Sequence, residues 1–271
     1  MATEFSLEKL ANKIYEVFQE YYTSNALLRK NVDDLIENKE CLQKDPYCPK
    51  IFRTLIDAVV TQSWRFKIPK NFYQELDQLI ENYGVKGLLE GKGREELIGL
   101  IEKYVSSKRR RRERISDKIR MVLDTLQRIT LKEWVEKDLS TSGEPLLGEK
   151  GLNDFLRTAG KWDKIPIDRH EMRFIIRTGI YLAHPDPRQY DPLDKSYLRE
   201  ALKTFAEKYL ADRHIAGINL GKNPGILDTF IWTYCAQIKI CSKTPKCNKC
   251  PLQSACLYNL LKLLINVKPV A

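Results

Sequence analysis

The amino-acid sequence predicts an all-α protein. Apolar residues recur at spacings of three and four along most of the chain, and convincing runs of alternating polar and apolar residues are absent. Gly and Pro cluster at a few separated points, as they do between helices. With 271 residues the chain can hold one large domain or two small ones.

The helical faces appear in order. Leu10, Ile14, Val17 and Tyr21 form the first, and Leu55, Ile56, Val59 and Val60 part of the next. Ile119, Val122, Leu126 and Ile129 repeat the pattern, as do Met172, Ile175 and Ile176. Loops are expected at 45–50, 67–70, 84–93, 140–149 and 184–192, the last with three prolines. The basic run KRRRRER at 108–114 reads either as a solvated helix face or as a phosphate-contacting strip. On the second reading Arg110 and Arg111 meet DNA at the start of a helix whose later turns, from Ile115, enter a core.

The charge balance narrows the partners. Lys and Arg number 46 against 36 Asp and Glu, a formal charge of +10, which favours nucleic acid or an anionic membrane surface. The first residues, MATEFSLEKLANKIYEVF, read as an amphipathic helix rather than a signal peptide. No stretch approaches the roughly 18 apolar residues of a spanning helix. The expectation is a soluble, intracellular protein of the cytoplasm or nucleoid, a monomer with no membrane partner.

Of seven cysteines, Cys41 and Cys48 lie early, and Cys235, Cys241, Cys247, Cys250 and Cys256 crowd near the end. An odd number in an intracellular chain argues against a disulfide framework and for metal ligation at the crowded end. Cys41 and Cys48 read as core or loop thiols. The last four cysteines are separated by five, two and five residues. Thiolates suit an iron–sulfur cluster or zinc, and the spacing leaves both open.

Three motifs carry a resemblance. PKCNKCPLQSAC at 245–256 is similar to the cluster loop of endonuclease III and MutY adenine glycosylases. Gly148-Glu149-Lys150, followed eighteen residues later by Ile167-Asp168-Arg169-His170, resembles the lysine and aspartate segment of the helix-hairpin-helix DNA glycosylases. Its wording, KGLNDFLRTAG…IDRH, is especially similar to the archaeal 8-oxoguanine glycosylases, and Leu227–Trp232 (LDTFIW) is a further likeness to that branch. Ala58–Ser63 (AVVTQS) resembles the segment whose glutamine fills the gap left by a flipped nucleotide. The resemblance spans about residues 50 to 256.

It implies two helical domains with a DNA cleft between them, one of 51–161 and ending in the hairpin, the other of 1–50 with 162–271 and the cluster loop. It implies a 4Fe–4S cluster on Cys241, Cys247, Cys250 and Cys256, with a basic loop (Lys243, Lys246, Lys249) facing phosphates. The family usually has six residues between the first two cysteines where this chain has five, so Cys235 stands as an alternative first ligand. Lys150 is the implied nucleophile: a buried amine with a lowered pKa attacks the sugar C1′ and forms a Schiff base. Asp168 stabilises the cationic sugar and helps deprotonate the amine. Gly148 and Gln62 are the implied DNA contacts, and Trp64 is either a stacking or a core residue. Leu146 stands where the family's hairpin has its first glycine.

The activity so implied is that of a bifunctional glycosylase and AP lyase acting on duplex DNA with a damaged base or abasic site. Oxidised guanine ranks first as the lesion, and oxidised or deaminated pyrimidine second. A different class, a non-catalytic DNA-binding protein with a metal knot, has no need for the lysine and aspartate pair.

Overall fold

Twelve α-helices carry most of the chain in a computed structural model that describes residues 5–61, 68–104, 109–140 and 145–266. Extended structure among the described residues amounts to one antiparallel pair, His214–Ile215 with Ile218–Asn219. The chain divides into two units, residues 1–34 with 162–271, and residues 35–161.

In the first unit, α1 (Leu7–Ser24) starts where Ser6 caps the backbone of Lys9 and buries Leu10, Ile14, Val17 and Phe18. It is joined by the beginning of α2 (Ala26–Lys44), capped by Asn25 on the N–H of Leu28 at 3.0 Å. The unit's core closes over α9 (Arg169–Thr178), α10 (Lys195–Tyr209) and α11 (Pro224–Trp232), with α12 (Leu257–Asn266) against α9. Phe18 stacks on Phe230 at 4.9 Å between ring centres, and Phe174 meets Phe230 edge-on at 6.4 Å. Each such buried aromatic contributes about 1.5–3 kcal/mol by leaving water.

The second unit takes the rest of α2 with α3 (Pro49–Thr61), α4 (Lys70–Gly87), α5 (Gly91–Tyr104), α6 (Arg109–Leu126), α7 (Leu131–Glu136) and α8 (Glu149–Thr158). Gly84 breaks α4 with a φ of +63°, a conformation side-chain-bearing residues rarely adopt. A capping box between Thr130 and Glu133 opens α7, and Trp134, fully buried, donates to the carbonyl of Ser140 at 3.2 Å.

The boundary expected at residue 50 lies instead between 34 and 35. Leu42 and Cys48 are buried in one core with Ile51, Phe52 and Leu55, and Cys41 and Tyr47 pack against it. The end of α2 therefore belongs with the second unit. Cys41 and Cys48 are not free thiols: they form a disulfide, with Cα atoms 5.7 Å apart. A tight turn brings them together, with Asp45 N–H on the Cys41 carbonyl at 2.8 Å and Cys48 N–H on the Asp45 carbonyl at 3.0 Å. Counting an odd number of cysteines missed this pair, because the other five remain free. No helix among the described residues is long and apolar enough to cross a membrane.

Candidate functional site

Lys150 stands on the first turn of α8 and is exposed. Gly148 is the N-cap, extended at φ −66° and ψ 158°, and no side chain caps the helix there. The first N–H groups of α8 thus carry the positive end of the helix dipole without a side-chain acceptor from the cap. Behind them Leu146 and Leu147 are each 2% exposed and pin the turn into the core. Leu146 is therefore a hydrophobic anchor at the position where the resemblance led to the expectation of a glycine. Lys118 of α6 donates to the carbonyl of Leu146 at 2.8 Å and to that of Pro145 at 3.3 Å, tying the turn from the other side. Phe155 and Leu156 bury the inner face of α8, which packs against α3. The expected burial of Lys150 is not found: its place at the head of a surface helix turns it to solvent.

Arg110 and Arg111 fall on the first turn of α6, whose later residues Ile115, Ile119, Val122, Leu123 and Leu126 are buried. Their side chains, and Gln62 and Trp64 entirely, lie outside the described residues.

In the other unit Asp168 is the N-cap of α9, following buried Ile165 and Ile167. Its Oδ1 accepts from the N–H of His170 at 2.5 Å. Its own N–H donates to Oε2 of Glu171 at 2.9 Å, completing a capping box. Asp168 itself is half-buried. Glu171, by contrast, is 2% exposed, and burial, its hydrogen bond to the Asp168 side chain and the nearby Asp228 push its carboxyl up to about 10. Glu171 was not singled out from the sequence. The signal was there: Glu171, Phe174, Ile175 and Thr178 lie at helical spacing and form the buried face of α9, whereas Met172 and Ile176 are only half-buried.

The same helix holds the cysteine loop at its other end, about 15 Å from Asp168 for a helix of this length. Arg177 donates to the carbonyls of Ser242 at 2.6 Å and Lys243 at 3.1 Å, and to Sγ of Cys241 at 3.7 Å. Sγ of Cys256 donates to the Arg177 carbonyl at 3.3 Å. Gly179 stops α9 immediately beyond with a φ of +93°, and a Cβ there would come within 2.6 Å of Phe5 Cζ. Leu252, 1% exposed, anchors the middle of the loop, and Lys243, Lys246 and Lys249 face outward.

Cys235 lies on a π-helical segment, Thr233–Gln237, with Thr233, Tyr234 and Cys235 buried. Asn31 holds this segment through Thr233 Oγ1 at 2.9 Å and Gln237 Oε1 at 2.8 Å. The Cys235 thiol donates to Cys241, which with Arg177 and Arg173 holds the Cys241 thiol down to about 6. Burial pushes Cys256 up to about 11 and raises Cys250, whose sulfur meets the Tyr234 hydroxyl at 3.1 Å. Cys241, Cys247, Cys250 and Cys256 are all half-buried and free of disulfides. No three His, Cys, Asp or Glu side chains among the described residues converge as ligands of a single ion.

The residues expected to act thus fall on three local frames: Lys150 at the head of α8, Asp168 at the head of α9 and the cysteine loop at its tail. Lys150 belongs to one unit, Asp168 and the cysteines to the other. Compared with family models, with curated proteins and with solved structures, the chain matches none.

Proposed function

We propose that the chain is a base-excision DNA glycosylase with AP lyase activity, of the helix-hairpin-helix type, with Lys150 as nucleophile and Asp168 as its carboxylate partner. The observation that carries this reading is the setting of Lys150, exposed on the first turn of α8 two residues after the Gly148 N-cap, where no side chain caps the helix. A DNA phosphate is a suitable acceptor for such a helix start. A backbone bound there brings a deoxyribose within reach of the adjacent lysine. An amine nucleophile needs desolvation, and the exposure of Lys150 leaves this to the DNA that covers it.

The chemistry balances on these groups. The Lys150 amine attacks C1′ as the glycosidic bond breaks, and the base leaves with a proton. The C1′–O4′ bond of this adduct then opens, O4′ taking the remaining amine proton, to give an imine. Once protonated by solvent, the imine acidifies C2′, and loss of that proton expels the 3′ phosphate and nicks the strand. Asp168, ionised, opposes the positive charge that develops on the sugar and takes a proton from the attacking amine. Its hydrogen bonds from backbone N–H groups hold the carboxylate in place before substrate arrives.

Cys241, Cys247, Cys250 and Cys256 are the residues that would hold a 4Fe–4S cluster, and the donor set fits one: four free thiols on a loop braced by Arg177, the first of them predisposed to the thiolate form. When bound, the cluster would supply a rigid anchor for the loop and a redox-capable centre. The lysines beside it add to the basic surface that the net charge of +10 implies.

Borohydride trapping tests the reading. Incubation with duplexes that each carry one lesion, oxidised guanine, an oxidised pyrimidine or an abasic site, should give a covalent DNA adduct, strongest for oxidised guanine among the damaged bases. The adduct should vanish in Lys150→Gln. Binding with no adduct on any duplex would make the chain a non-catalytic DNA-binding protein.

A further inference from the structure

We infer that Glu171 is a positioning residue for Asp168, its buried carboxyl gripping both the backbone N–H and the carboxylate of Asp168 from inside the core. The inference rests on the glycosylase reading, because Asp168 matters as a reactive group only there. The geometry supplies the grip: Glu171, 2% exposed, accepts from the Asp168 N–H at 2.9 Å inside a reciprocal capping box, which sets the two carboxyl groups at the same helix start.

Two carboxylates in hydrogen-bond contact share a proton when both cannot be solvated. The proton stays on the more buried partner, and Glu171 at 2% exposure is that partner beside half-buried Asp168. A carboxylate is costly to leave ionised at such depth, so ionising Glu171 rather than Asp168 is the unfavourable choice. Asp228 of α11, 1% exposed, adds its own carboxyl to this environment and favours the proton further. The titratable groups that bear on Glu171 are Asp168, Asp228 and Cys235.

A neutral Glu171 donates its O–H to the Asp168 carboxylate and accepts from its N–H through the other oxygen. Asp168 is thereby kept ionised and fixed in rotamer. An ordinary capping box needs only the acceptor half, and a serine or threonine cap would serve the helix as well. The donor half is what a reactive carboxylate requires.

The test compares Glu171→Leu with Glu171→Gln in single-turnover nicking of an abasic duplex across pH. Glu171→Leu is expected to lower the rate at saturating DNA by about tenfold with little change in the half-saturating concentration. Its acid limb should move up by about half a pH unit, because Asp168 loses the donor that stabilises its charge. Glu171→Gln, which keeps one donor and one acceptor, should restore most of both. An unchanged rate and acid limb in Glu171→Leu, with wild-type protein trapping an adduct, would overturn the inference and leave the glycosylase reading intact. Failure of the wild type to trap any adduct sinks that reading, and the positioning role with it. Should Glu171→Leu not fold, infrared spectroscopy of the wild type decides. A protonated-carboxyl band at neutral pH, absent in Glu171→Gln, supports the inference; no such band overturns it.

Discussion

The backbone N–H of Asp168 donates to Glu171 Oε2 at 2.9 Å, so the residue that begins α9 is held by an acid buried one turn further on. This pairing separates what Asp168 does for the fold from what it does as a charge. Asparagine caps helices as well as aspartate, whereas alanine loses about 1 kcal/mol at such a position. Asp168→Asn should therefore melt near the wild-type temperature yet lose adduct formation by at least about a hundredfold. Asp168→Ala should lose both. Thermal melts read beside borohydride trapping check the separation, and an active Asp168→Asn would refute the charge role.

The Glu171 carboxyl also makes stability depend on pH in an unusual direction. Its folded-state value is pushed up to about 10 by burial, above the ordinary 4.5 of an unfolded chain. Its stabilising contribution is thus complete below about pH 4.5 and declines as the pH rises towards 10, since only the folded state keeps the proton. Glu171→Gln carries no such proton. Denaturant midpoints should show the variant gaining on the wild type steadily from pH 5 to pH 9, and a constant difference would count against a protonated Glu171.

How far this was legible in the sequence varies by element. The helical faces of α1, α3 and α6 could be read from periodicity because their stripes are almost purely apolar: Leu10, Ile14 and Val17, or Ile119, Val122 and Leu126. On α9 the stripe includes an acid, and an acid at a core position breaks the pattern that periodicity reads. Leu146 was legible only as a departure from a glycine-rich hairpin; its burial shows that it anchors the turn. The disulfide escaped because cysteine counting ignores how tightly Asp45–Tyr47 turns the chain. Lys150 could be located by its neighbours but not its exposure, which depends on where α8 lies on its unit.

The disulfide closes a loop of sequence separation 7 between α2 and α3. Its main effect is on the unfolded chain, and a loop this short gains about 2–3 kcal/mol on the chain-entropy account. Cys41→Ala, or treatment with a thiol reductant, should lower the melting temperature by several degrees without altering iron content. Cys48 is fully buried in the second unit's core, so Cys48→Ala should cost more than Cys41→Ala. Equal melting temperatures with and without the bond would show that it contributes nothing.

Lys118 connects the long helix α6 to the turn in front of Lys150 through two carbonyl contacts, at 2.8 and 3.3 Å. It is half-buried, so its hydrogen bonds contribute about 1 kcal/mol rather than the full value of a buried charge. Lys118→Met keeps the aliphatic stem and removes the donors. The expected result is a small loss of stability and a several-fold weaker binding of abasic duplex, with the adduct still forming at saturating DNA. Filter binding and trapping on one preparation would show it, and a loss of trapping at saturation would instead place Lys118 in the chemistry.

The first thiol of the cysteine loop poses the sharpest question, because Cys235 and Cys241 are hydrogen-bonded to each other and, in the proposed cluster, only one would be the fourth ligand beside Cys247, Cys250 and Cys256. Their surroundings differ. Cys235 is fully buried on the π-helical segment, and its hydrogen bond to Cys241 holds its thiol in the protonated form. Cys241 is half-buried, receives Arg177 at 3.7 Å and is held down to about 6. Metal ligation consumes a thiolate, and a thiol that already favours that form loses less on binding. Cys241→Ala should therefore yield protein with little iron and sulfide and without brown colour, while Cys235→Ala retains iron near the wild-type level. The reverse outcome would make Cys235 the ligand and Cys241 its hydrogen-bond partner. A colourless wild-type protein loaded with zinc would remove the cluster from both accounts.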